Sequence, residues 1–194
     1  MKDKLYSVLR KRWTPWAAAA IAAMVTAFLL HHHGRIWWCA CGKATPWSGD
    51  IWTSHNSQHL FDPYSFSHVL HGVIFCGLFA LLLRKASSQW RFFFSIVLEC
   101  AWELFENSPF IIQRYREGTF ALGYEGDSVL NSMGDVMSCG IGFAVAYYLG
   151  LRRSLVFVAI VELVMLVWIR DNLTLNIIML IHPIDAIKAW QMGQ

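Results

Sequence analysis

The sequence predicts an all-α, polytopic transmembrane bundle of about five spans with a short C-terminal interfacial helix, and three observations carry that expectation. Of 194 residues, 56% are hydrophobic and only 15% are charged, where a soluble domain carries about 25% charged residues. Mean hydropathy is +0.41, more apolar surface than a single buried core can hide. Several apolar runs also approach the roughly 20 residues that a spanning helix needs. At this length one membrane domain over 1–194 is expected. The formal charge of +3 comes with no basic stripe or zinc-finger spacing, which argues against nucleic acid as a partner. Ten tryptophans suit a chain that anchors itself at two membrane interfaces.

The first span is read over about 14–30, with Thr14 as N-cap and Pro15 at the first helical position. Lys2, Lys4, Arg10, Lys11 and Arg12 precede it, and His31, His32, His33, Gly34 and Arg35 follow without a small-x-small cleavage site. A retained anchor is therefore expected rather than a cleaved signal peptide. The remaining spans fall over about 66–83, 90–105, 128–149 and 154–169, the third and fifth carrying Glu99 and Glu162 inside them. The run from Leu173 to Ile181 is too short to cross. Beyond His182 and Pro183, the apolar Ile184, Ile187 and Trp190 oppose Asp185 and Lys188, so 173–194 reads as an interfacial tail.

Orientation follows from the basic residues beside each span, which favour the cytoplasm. With the N-terminus inside, the cytoplasmic set is Lys2, Lys4, Arg10, Lys11, Arg12, Arg84, Lys85, Arg91, Arg152 and Arg153. It outweighs Arg35, Lys43, Arg114, Arg116, Arg170 and Lys188 on the other side. The two outer connections, 34–65 and 106–127, are long and rich in Trp, Tyr, Gly and Pro, which is where function is expected.

Ionisable groups inside spans are costly and mark candidate sites. Span two opens with Ser67, His68 and His71; span three closes with Glu99, Glu103, Glu106 and Asn107; span four opens with Asp127, Asn131 and Asp135. Spacings of three and four residues put each set on one helical face. Alternating spans bring all three sets to the same side of the membrane, whichever side that is. Glu99 then lies about 6 Å deeper than Glu103 at 1.5 Å rise per residue. Gly134, Ser138, Gly142, Ala146 and Gly150 form a small-residue stripe along span four, suited to close helix packing.

His68, His71, Glu103, Glu106, Asp127, Asn131 and Asp135 are the candidate catalytic residues. His68, His71, Glu103 and Asp135 could hold a divalent metal, since imidazoles and carboxylates on facing helices build bundle metal centres. The same groups equally suit metal-free acid–base work, with His71 and Glu103 as base and acid, an ion or proton path, or an interhelical polar network without turnover. Arg114 and Arg116 are candidates for holding an anionic headgroup or phosphate. The run His31 to His33 reads as an interfacial tail. Cys39 and Cys41 lie in the first outer loop, where a bridge between residues two apart would be strained. Cys76, Cys100 and Cys139 read as small buried hydrophobes. Trp37, Trp38, Trp47 and Trp52 read as interface anchors on a loop that could cover the polar cluster, and His55 and His59 are weaker ligand candidates in it. No phosphate-binding Gly-rich loop, Gly-x-Ser-x-Gly elbow or His-Glu-x-x-His helix is present. The lack of an internal repeat argues against a transporter.

The words Gly-Arg-Ile-Trp-Trp-Cys at 34–39, Ser-Gln-His-Leu-Phe-Asp-Pro-Tyr-Ser-Phe-Ser-His-Val-Leu-His-Gly at 57–72 and Trp-Glu-Leu-Phe-Glu-Asn at 102–107 resemble an uncharacterised family of small bacterial multi-pass membrane proteins. The resemblance covers most of the chain; it implies a cell-membrane location and no particular activity. More distantly, Asp127, Asn131 and Gly134, following Glu in the preceding span, are similar to the VanZ-like group, named for a glycopeptide-resistance accessory protein. The paired His and the long Trp-rich loop depart from that group. This likeness implies a role at the cell envelope and assigns no reaction. Two functions are thus expected to compete: a bacterial inner-membrane enzyme or binder acting on an amphiphilic envelope compound, and a non-catalytic membrane protein whose polar cluster only stabilises packing or partner binding.

Overall fold

Seven helices form among the residues described by the computed structural model, which are 12–119, 121 and 123–193. Lys2, Lys4, Arg10 and Lys11, which contribute to the expected orientation, lie outside them. Helix α1 (Thr14–His32) starts one residue earlier than its signals suggest: Trp13 is the N-cap, Thr14 is the first helical residue, and Pro15 follows. Helix α2 (Ser65–Leu82) matches the second expected span within a residue. Helix α3 (Ser88–Glu106) is capped by the Ser87 hydroxyl, which accepts from the Trp90 N–H at 3.4 Å. α1 and α2 are long and apolar enough to cross a membrane.

Helix α4 (Pro109–Gly118) lies inside the stretch read as an outer loop. Its start is set by local chemistry: Ser108 accepts from the Ile111 N–H and Pro109 occupies the first turn. At ten residues the helix is too short and too polar to form a long apolar run. Helix α5 (Val129–Ile169) joins the fourth and fifth expected spans, broken at Gly150, where φ is +71° and ψ is 171°. The left-handed φ reverses the chain at low cost only because the residue is glycine. The C-terminal segment forms α6 (Leu173–Ile181) and α7 (Asp185–Gln191). Glu162, the carboxylate inside the fifth expected span, accepts from the Leu173 and Thr174 N–H groups at 3.0 and 3.2 Å and so caps α6.

α2 sits in the fork of α5. On one side the small residues allow backbone-to-backbone packing: a Cβ on Gly72 would strike the Cys139 carbonyl oxygen, and one on Gly142 would strike that of Val69. On the other, Leu70 packs with Val161, Met165, Ile169 and Leu173. Ala19 of α1, Ile96 and Cys100 of α3 and Val136 of α5 make a second core. Both ends of α5 therefore return to the start of α2, as the Ser65–Asp135 and Tyr64–Asp171 hydrogen bonds record at 2.9 and 3.2 Å. The loop 34–64 is ordered over this end. Trp47 and Phe61 form an isolated parallel bridge, Trp47 stacks on Trp168, and the Val129 N–H donates to the Ile36 carbonyl at 2.8 Å.

Candidate functional site

Where the start of α2, the end of α3 and the start of α5 meet, the chain encloses a chamber of about 550 Å³. His68, His71, Glu106, Asp127, Asn131 and Asp135 all line it, and Glu103, fully buried, stands against His68. The seven candidates named from the sequence are thus brought together. The centre of the arrangement, however, is Glu99, recognised only as the deepest of the carboxylates. Its Oε1 lies 2.5 Å from His68 Nδ1, and both of its oxygens lie 3.1–3.2 Å from His71 Nδ1. Glu99 is fully buried and holds both imidazoles by the same nitrogen, which leaves each Nε2 to other partners. His68 Nε2 is 3.8 Å from Asp135 Oδ2.

Glu103 is the opposite case. Its Oε1 stands 3.4 Å from His68 Nδ1, but that nitrogen is aimed at Glu99, and neither Glu103 oxygen has a hydrogen-bond partner among the described residues. Glu106 accepts from the Tyr115 hydroxyl at 2.9 Å through one oxygen, and its other oxygen is buried without a partner among the described residues. Buried polar atoms left unpaired are rare enough to need an account.

Elsewhere in the chamber the fold adds Asp62, Tyr124 and Asp171, which no spacing in the sequence marks as site residues. Asp62, in the loop, accepts from the backbone N–H groups of Ser57 and Tyr64 at 3.0 and 2.7 Å, and Asn131 donates to it at 3.3 Å. Asn107 donates to Asp127 at 3.0 Å, takes the Asp127 N–H on its Oδ1 at 2.7 Å, and Tyr124 donates to Asp127 at 2.8 Å. Asp171, beyond α5, is held by Tyr64, Gln191 and its own neighbour's N–H. Burial pushes the Asp62 and Asp127 carboxyls above their usual range, against the pull of these hydrogen bonds. Burial also raises Asp171, to about 6. The tail joins the wall: Asn176, Ile177 and Leu180 line the chamber, and Met179 and Gln191 are buried. The expected interfacial segment thus completes the site rather than only lying beside it.

Arg114 and Arg116 are not brought to the chamber. Arg114 donates to the carbonyls of Leu180 and Ile181 at 2.7 and 2.8 Å, and Arg116 donates to the Tyr124 carbonyl at 2.5 Å. Each guanidinium answers backbone acceptors near a helix or turn end instead of facing the chamber. Among the described residues, no Lys or Arg lines the chamber. It is an acidic cavity with two histidines, and it passes into an apolar trough bounded by Ile74, Phe75, Leu98, Trp102 and Phe105.

An all-helical chain with two helices fit to cross a membrane, carrying a buried His–carboxylate chamber, is the class that fold and site define. The chain belongs to the UPF0314 family. Residues 30–193 match the family model described as Protein of unknown function (DUF2585). The UPF0314 protein of Rhizobium meliloti (strain 1021) is 42% identical over 185 residues, covering 95% of this chain and 94% of that one. That of Rhizobium etli (strain CIAT 652) is 46% identical over 176 residues, 91% of this chain and 89% of the relative. That of Sphingopyxis alaskensis is 44% identical over 183 residues, 93% and 96%. No solved structure matches. The resemblance to an uncharacterised family is thus membership of it, and the VanZ likeness gains nothing from these matches.

Proposed function

We propose that this UPF0314 protein is a five-span protein of the bacterial inner membrane, N-terminus in the cytoplasm, that binds an amphiphilic envelope compound and acts on its polar head by acid–base chemistry. The observation that carries the reading is the chamber's gradient, from the apolar trough at Ile74, Leu98 and Phe105 to the His68, Asp127 and Asp135 end. Such a cavity matches one tail and one head. Without a Lys or Arg in the wall, the head it favours is a hydrogen-bond donor, a hydroxyl or amine, rather than a bare phosphate. In the enzymatic step Glu99 orients His68, whose Nε2 exchanges a proton with the bound head, and His71 stands beside it. Large apolar side chains exposed along the second half of α5, among them Leu155, Val156, Leu163 and Val167, support lipid contact beyond α1 and α2.

The test is extraction and mass spectrometry of compounds co-purifying with the detergent-solubilised protein, wild type against Leu98→Trp, which fills the trough. A discrete amphiphile enriched in the wild type and lost from the variant is expected. A bound-lipid profile matching the bulk membrane in both overturns the reading.

A second version has one specific observation in its favour, the unpartnered oxygens of Glu103. Ligand atoms of His68, Glu103 and Asp135 lie within 4.8 Å of one another, as do those of Glu103, Glu106 and Asp127. A divalent metal there would satisfy them and present a Lewis acid to the head. Metal content of the purified wild type against Glu103→Gln, the residue common to both sets, decides: lower content in the variant supports this version, and equal content removes it.

A further inference from the structure

Outside the chamber, four ligand-bearing side chains of the loop converge. Cys39 Sγ lies 3.2 Å from His55 Nδ1, Cys41 Sγ lies 3.7 Å from His59 Nε2, and one ligand atom from each of the four falls within 4.8 Å of all the others. For bonds of about 2.0–2.3 Å, a tetrahedral zinc site has ligand-to-ligand edges of about 3.3–3.8 Å, so the set needs only a small contraction. The surroundings are those of a ligand set. His59 Nδ1 donates to the Thr45 carbonyl at 2.6 Å, which fixes the tautomer and turns the Nε2 lone pair toward Cys41, as the outer partner of a metal-bound imidazole does. The Cys41 N–H points at Cys39 Sγ at 3.4 Å, a contact that favours a thiolate. The turn that sets the two sulfurs on one side closes through the Gly42 N–H to the Cys39 carbonyl, with Gly42 at φ +68°. Cys39 and His59 are buried.

We propose that Cys39, Cys41, His55 and His59 form a Cys2His2 site for a zinc-class divalent cation, which pins the 39–59 loop over the chamber. Two sulfurs and two imidazole nitrogens in this arrangement suit zinc over magnesium or calcium, whose ligands are oxygens. The cation's role is structural: four protein ligands close the shell and leave no position for substrate. Its reach into the chamber is short. The backbone of His59 accepts from Asn131 at 2.7 Å, and Asn56 and Ser57, between the two histidines, line the chamber. The spacing Cys-x-Cys with His-x-x-x-His is visible in the sequence, but only the fold brings the two halves together across the turns of the loop.

The experiment is elemental analysis of the full-length protein, purified in detergent without chelator and with an affinity tag free of histidine, followed by exchange of the metal for cobalt. Stoichiometric zinc is expected in the wild type and in His68→Ala, the cobalt form showing tetrahedral bands and a sulfur-to-cobalt charge-transfer band. Both are expected to vanish in Cys39→Ser/Cys41→Ser. In case that variant does not fold, thiol labelling of the wild type with mapping by mass spectrometry supplies a second reading: zinc shields Cys39 and Cys41, and chelation exposes them. Zinc-free wild-type protein whose two loop thiols label equally with and without added zinc overturns the proposal, as does a native Cys39–Cys41 disulfide. Zinc lost in His68→Ala but kept in the double serine variant overturns it too, by placing the ion in the chamber.

Discussion

Glu99 and Glu103 are one helical turn apart on α3 and equally buried, yet opposite effects are expected on neutralising them. Glu99 is matched by two imidazoles, so Glu99→Gln breaks a buried charged network and is expected to lower the unfolding free energy by about 3 kcal/mol, read as a fall in the thermal midpoint in detergent. Glu103 has no hydrogen-bond partner among the described residues. Glu103→Gln is expected to leave stability within about 1 kcal/mol of wild type while abolishing the bound ligand or the turnover. If the cluster only knits helices together, Glu103→Gln destabilises as much as Glu99→Gln and removes no separable activity. Asp171 supplies a pH dependence. Burial raises its carboxyl from 3.8 to about 6, so the folded state holds the proton more tightly than the unfolded chain. Stability contributed by this residue is therefore highest below pH 3.8 and declines as pH rises through about 6. Asp171→Asn is expected to flatten the thermal-midpoint profile between those values, and an unchanged slope overturns this assignment.

At the scale of elements, the decisive contact is α2 against the first half of α5. Gly72 and Gly142 face carbonyl oxygens of the opposite helix, and Gly134 faces that of Leu60. Backbone cannot move aside as a side chain can, so Gly142→Ala forces the helices apart at a cost of about 3 kcal/mol. Because Ser65 and Asp135 bond across this interface, the same substitution is expected to disturb the chamber. Gly150 has nothing near its missing Cβ and needs only its positive φ. Gly150→Ala is expected to cost about 1–3 kcal/mol through backbone strain and to leave ligand binding intact. Parallel thermal melts and binding assays on the two variants separate packing from turn strain.

Taken whole, the helices run back and forth so that one end gathers the polar residues of the chamber. The end of α1 meets the start of α5 through Ile36 and Val129, α2 starts there, α3 ends there, and α5 returns there at Asp171. For five spans with the N-terminus inside, reporter fusions after residues near 50 and 125 are expected to report the periplasm, and those near 86 and 152 the cytoplasm. A chain crossing only at α1 and α2 would place the fusions near 86, 125 and 152 on one side. The loop 34–64, α4 and the C-terminal helices all fold against the gathered end, and the ordered roof and floor have a consequence for access. For the amphiphile of the proposed function, the expected path is along the apolar residues Ile74, Phe75, Leu98, Trp102 and Phe105 of α2 and α3 rather than past the loop.

The amino-acid sequence by itself determined the all-helical class, the limits of the long apolar helices to within a few residues, though not the short helix α4, and the convergence of His68, His71, Glu103, Glu106, Asp127, Asn131 and Asp135. These follow from hydrophobic length, a three-to-four residue period and the alternation of antiparallel helices, all local or topological facts. Tertiary structure alone decided which carboxylate is matched and which is left bare. Glu99 and Glu103 share one face of α3, and their difference depends on where α2 places two imidazole nitrogens. It also turned Arg114 and Arg116 away toward backbone carbonyls, made the C-terminal tail a wall of the chamber, and joined Cys39 and Cys41 to His55 and His59. Those outcomes depend on distances between residues far apart in the chain, which no periodicity encodes.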